Sequence, residues 1–122
     1  MTNRSSPKRS ALLGPLFGSA LREWILLYLL TRKEAYPREL AHELGFALLA
    51  VQKQFRSLED GDVVYSRLRG RTRLYSLNPR YVFRRELEAL LWRVLDALPG
   101  DERERLYTPR LRPRKPGKPL NL

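Results

Sequence analysis

The chain has no cysteine, one histidine and one methionine in 122 residues. Without cysteine there is no disulfide framework, no thiolate nucleophile and no cysteine-based metal site, a usage that fits a reducing, cytoplasmic setting. The lone His42 has no cysteine or carboxylate partner of ligand type, so neither a metal nor another cofactor is expected. Long apolar runs are also missing. No window approaches the ~18 consecutive apolar residues of a membrane span, and the stretch Trp24 to Leu30 is flanked by Arg22, Glu23, Arg32 and Lys33, which reads as a buried helix. At the N-terminus Arg4, Lys8 and Arg9 lead into Gly14, Pro15 and Gly18, so no secretory leader is expected. Acidic residues are scarce: 24 Lys and Arg against 13 Asp and Glu leave a formal charge of +11. Such a surplus favours a polyanionic partner, since clustered cations release counterions from phosphates.

What is present divides into three parts. Residues 1–12 form a polar, basic arm containing Ser5, Ser6 and Pro7. Residues 13–98 carry the periodic apolar pattern of one folded domain. In residues 99–122 fall five of the nine prolines and seven of the Lys and Arg, which reads as an extended or disordered tail. Within the domain, Leu21, Ile25, Tyr28 and Leu29 mark a first helix from Ser19 or Ala20 to Thr31. Pro37 opens a second, two-turn helix that Gly45 ends at Leu44. A third runs from Ala47 to Asp60 with Val51, Phe55 and Leu58 on its buried face. Two β-rich runs, Asp62 to Arg69 and Thr72 to Leu77, surround Gly70-Arg71 and predict a hairpin in which Leu68 faces Arg73 and Val64 faces Leu77. Asn78-Pro79 predicts the start of a last helix, Pro79 to Leu98. The expected fold is mainly α with a small β-hairpin, in the order α-α-α-β-β-α of a winged helix-turn-helix.

That order suggests double-stranded DNA as the polyanion, because the third helix of such a domain enters the major groove while neighbouring elements hold phosphates. With Val51, Phe55 and Leu58 inward, Leu48, Leu49, Gln52, Lys53 and Arg56 are expected outward. Gln52 suits adenine, and Lys53 and Arg56 suit guanine or phosphate. Leu48 and Leu49 either meet thymine methyl groups or, in one case, join the core. Arg67, Arg69, Arg71 and Arg73 lie within seven residues of the hairpin without an intervening acid, and guanidinium groups suit phosphate or a narrow minor groove. Arg38, on the second helix, completes the set of candidate contacts.

The run Leu16-Phe17-Gly18-Ser19, then Arg38 to Gly45, Val51 to Leu58, Gly61, and Gly70 to Pro79 resembles the ArsR-type winged-helix regulators. The resemblance implies a homodimer joined by terminal helices, here Phe83, Leu87, Leu91, Trp92 and Leu95 with help from the first helix. The same residues serve nearly as well as core. The family's metal sensing does not carry over to a chain without cysteine. A second resemblance is to winged-helix modules that accompany minimal nucleotidyltransferases. It implies docking on a separately encoded enzyme through Leu48 and Leu49. Gly18-Ser19 does not itself form such an active site, because no Asp-x-Asp pair follows to hold metal ions, and no catalytic residue is expected elsewhere. Non-specific nucleic-acid binding, including RNA held by the basic tail, is the remaining alternative to sequence-selective regulation.

Overall fold

A computed structural model describes residues 12–107. Its elements are α1 (Gly14–Phe17), α2 (Ala20–Arg32), α3 (Pro37–Leu44), α4 (Leu48–Asp60), β1 (Val64–Arg69), β2 (Thr72–Leu77), α5 (Arg84–Ala97) and α6 (Gly100–Tyr107). This is the expected winged helix-turn-helix order, with a short helix added at each end.

The centre is α2. Ser19, in extended conformation, caps it by accepting a hydrogen bond from the Arg22 amide at 3.1 Å. All eight residues from Glu23 to Leu30 are buried, so the helix is apolar on every side and is wrapped by α1, α4, α5, α6 and β2. The helix-turn-helix follows from Ala35. Pro37 pre-sets the first turn of α3, and Gly45 ends it with φ +78°, in the left-handed region that favours glycine. The turn releases α4, whose Val51, Phe55 and Leu58 point into the core.

The strands pair antiparallel in the expected register, with Leu68 opposite Arg73 and Val64 opposite Leu77. Gly70 has φ +66°, the conformation a two-residue hairpin loop asks of its first position. At the base of the wing the Asn78 side chain donates to the Asp62 carbonyl at 2.9 Å and accepts from the Arg80 amide at 3.0 Å. Asn78 therefore closes a local turn, and α5 starts at Arg84 instead of Pro79.

Two expectations need correcting. In α5, Leu91 and Leu95 are buried within the protomer and Leu87 packs partly against the core, so of the five expected dimer residues only Phe83 and Trp92 stand exposed. In the C-terminal segment, Gly100–Tyr107 is helical, and Leu106 is fully buried against the core. The high proline content of residues 99–122 concealed a proline-free run in which Asp101 and Glu102 occupy the first turn and Arg105 the last, as the helix dipole favours. Residues 1–11 and 108–122, and with them most of the expected arm and tail, lie outside the described residues.

Arg32 fastens α6. Its guanidinium donates to Glu43 Oε1 at 2.9 Å, lies over the Tyr28 ring at 4.6 Å from its centroid, and donates to the carbonyls of Leu106 and Arg105. One side chain thus joins α2, α3 and two backbone carbonyls of α6. Leu106→Ala is expected to destabilise the domain by about 3 kcal/mol in urea unfolding; an unchanged midpoint would show that α6 is not docked.

Glu23 anchors the opposite end. It is fully buried, its Oε1 accepts from the Leu13 amide at 3.0 Å, and its Oε2 has no hydrogen-bond partner among the described residues. Burial raises its pKa, against the lowering effect of the backbone N–H groups of Leu13, Leu12 and Gly14. The folded chain therefore holds this proton to a higher pH than the unfolded chain, and stability falls as pH rises from the ordinary carboxylate range through the raised pKa. Glu23→Gln is expected to flatten that part of the stability–pH curve and raise the melting temperature at pH 7. A wild-type slope retained in the variant would contradict the assignment.

Candidate nucleic-acid interface

The outward face of α4 and the wing enclose a groove of about 420 Å³. Gln52 and Arg56, one turn apart on α4, line one wall, and Arg71, Thr72 and Arg73 line the other. Arg38 from α3 closes one side and Tyr75 contributes to the lining. Among the described residues, no acidic side chain lines it. Four guanidinium groups held around one concavity in a small domain make a local positive field that favours anions.

The walls are fixed by packing beneath them. Phe55 of α4 is fully buried, and its ring stacks on Tyr75 of β2 with centroids 4.3 Å apart and planes at 24°. Tyr75 also exchanges two 2.9 Å backbone hydrogen bonds with Ala35, just before α3. The tyrosine hydroxyl has a raised pKa, chiefly from burial and further from Glu59, while Arg73 and Arg56 act in the opposite sense. It stays a neutral phenol at physiological pH. The other flank of α4 is tied to α2, where Arg22 Nε donates to Gln54 at 2.8 Å and its Nη2 to Ser57 at 2.9 Å.

Of the ten residues expected at the interface, the groove gathers Arg38, Gln52, Arg56, Arg71 and Arg73. Leu49 and Lys53 are exposed one turn apart on α4 but do not line it, and Leu49 is 77% exposed. Of the two alternatives for the leucine pair, Leu48 takes the second: it is half-buried and packs against the core. Leu48 and Leu49 therefore do not form an apolar pair on the surface. Arg67 and Arg69 share the strand face opposite Leu68 and Arg73, as the pleat requires. Arg67 forms an exposed ion pair with Glu34 at 3.4 Å.

Sequence reasoning does not single out Thr72, Tyr75 or Ser66, and it reads Glu59 only as offsetting the charge of the third helix. The hairpin register holds the signal for Ser66 and Tyr75, since it places both on the face of Arg73.

A second, more open concavity of about 540 Å³ adjoins the first, sharing Arg38 and Thr72 and adding Tyr36, Glu39 and His42. Among the described residues no group of three or more His, Cys, Asp or Glu could hold a metal ion. No helix of the described residues is long and apolar enough to cross a membrane.

No family model matches this sequence, and no curated protein matches it. Among solved structures, the chain is similar to Lactococcus lactis ZitR, described as a zinc-responsive MarR family member, at 16% identity and a TM-score of 0.43, covering 70% of this chain and 67% of that one. ZitR in complex with DNA gives 19% identity and a TM-score of 0.44, over 69% of this chain and 65% of that one. The adhesin competence repressor AdcR from Streptococcus pyogenes gives 20% identity and a TM-score of 0.43, over 68% and 70%. The chain thus spans about two thirds of the length of these proteins. The likenesses are remote, and the winged-helix order stands on the chain's own elements.

Proposed function

We propose that the chain is a double-stranded DNA-binding transcriptional regulator and not an enzyme. The outward face of α4 enters the major groove, and the wing arginines hold the backbone or minor groove. One observation carries the reading: the concavity between α4 and the wing gathers Arg38, Arg56, Arg71 and Arg73 around Gln52, with no acid among the described residues that line it. Guanidinium groups bind phosphate bidentately or pair with guanine, and Gln52 offers the donor and acceptor that adenine needs. Lys53, Arg67 and Arg69 extend the positive surface. We favour DNA over docking on a nucleotidyltransferase, since Leu48 is half-buried against the core and Leu49 is the more exposed of the two leucines. Placement beside the ArsR-type regulators rests on the sequence motifs only, and the zinc response named for ZitR is not carried over.

Arg56→Ala with Arg71→Ala is expected to weaken binding to all duplexes and to reduce the magnitude of the salt slope by about 0.9 for each phosphate that is no longer neutralised. Fluorescence anisotropy at several salt concentrations reads both quantities. Unchanged affinity and slope would remove the groove from the interface.

The homodimer is part of the proposal, with Phe83 (59% exposed) and Trp92 (45% exposed) as its remaining apolar contacts. Phe83→Ala with Trp92→Ala is then expected to shift the chain from dimer to monomer in sedimentation. A wild-type chain that sediments as a monomer on and off DNA would refute that contact.

A further inference from the structure

The direction of Arg73 in the groove is set by a chain of hydrogen bonds. Its Nη1 donates to Ser66 Oγ at 3.0 Å, and that hydroxyl donates to Glu59 Oε2 at 2.8 Å. Three elements meet in this relay: β2 supplies the guanidinium, β1 the hydroxyl and α4 the carboxylate. Its position follows from the packing. Ser66 lies opposite Tyr75 in the register, Arg73 is two residues from Tyr75 on the same strand face, and Glu59 follows Phe55 by one helical turn. The polar relay therefore runs beside the Phe55–Tyr75 stack. A serine hydroxyl suits the middle place, since it accepts from a cation and donates to an anion at once.

We propose that Ser66 is a positioning residue for DNA binding: it separates Glu59 from Arg73, so that the carboxylate orients the guanidinium without neutralising it. A carboxylate in direct contact would form a bidentate ion pair and compete with phosphate for the same N–H groups. With the hydroxyl between them, Arg73 uses one N–H on Ser66 and keeps the rest of its fork for the ligand in the groove. Removing the hydroxyl frees Glu59 to pair with Arg73 directly. The proposal rests on the DNA-binding reading above.

The test is a substitution cycle on the full chain, read by anisotropy with a mixed-sequence DNA duplex at several salt concentrations and accompanied by thermal melts. Ser66→Ala is expected to weaken binding by about fivefold to tenfold and to reduce the magnitude of the salt slope by about 0.9. Ser66→Thr restores the hydroxyl and the affinity. Adding Glu59→Gln to Ser66→Ala also recovers binding, because the competing charge is gone; a merely structural role for Ser66 gives no such recovery. Ser66→Val keeps strand propensity without the hydroxyl and is expected to repeat the weakening, which covers the case of an alanine variant that folds poorly. Wild-type affinity in Ser66→Ala and Ser66→Val, or a weakening that Glu59→Gln leaves in place, overturns the proposal. If Arg56→Ala with Arg71→Ala weakens binding while the Ser66 series moves nothing, only the relay fails. If neither set changes binding, the groove itself is wrong.

Discussion

The site depends on one packed contact, the stack of Phe55 on Tyr75. Phe55 belongs to the helix that presents Gln52 and Arg56, and Tyr75 belongs to the strand that presents Arg73. Through its backbone, Tyr75 is also paired with Ala35 immediately before the helix that carries Arg38. One aromatic pair therefore sets the spacing of all three walls of the groove. An offset-stacked pair adds roughly 0.5–1.5 kcal/mol beyond the area it buries. Its larger consequence is geometric, because close-packed interiors transmit displacement instead of absorbing it.

The rest of the domain holds that arrangement against a single central helix. Because α2 is buried on all sides, α1, α4, α5, α6 and the wing share one core and need no separate centres. Where α2 ends, the partly buried Arg32 acts as a junction: its pair with Glu43 holds α3, and its hydrogen bonds to the Leu106 and Arg105 carbonyls hold α6. Buried ion pairs contribute modestly to net stability, but removing one partner leaves an uncompensated charge. The pair therefore acts mainly to fix how the helices meet.

Much of this was legible in the sequence, for identifiable reasons. Pro37 and Gly45 bracket α3 through fixed backbone preferences, and the hairpin register follows from a two-residue loop around Gly70 together with the alternation of Val64 and Leu77. Five of the residues that the sequence nominates for DNA, Arg38, Gln52, Arg56, Arg71 and Arg73, meet in the groove. What escaped was tertiary. Periodicity places Leu91 and Leu95 on an apolar stripe but does not say whether a second chain or α2 covers it. Composition averaged over 99–122 hid the helix that docks Leu106. Helical phase leaves open whether Leu48 or Leu49 joins the core, and only the packing of the first turn of α4 shows that it is Leu48. Glu59 and Ser66 carry no motif of their own; their significance comes from meeting Arg73 across three elements.

Charge binds these observations together. The chain carries +11, and the fold concentrates four of its guanidinium groups around one concavity while the exposed Arg67 is partly offset by Glu34. The most direct measurement is a titration of the isotopically labelled chain with duplex DNA, followed residue by residue by NMR. The largest shifts are expected at Arg38, Gln52, Arg56, Arg71 and Arg73. Shifts confined to the surface around Phe83 and Trp92, with the groove residues unmoved, would contradict it.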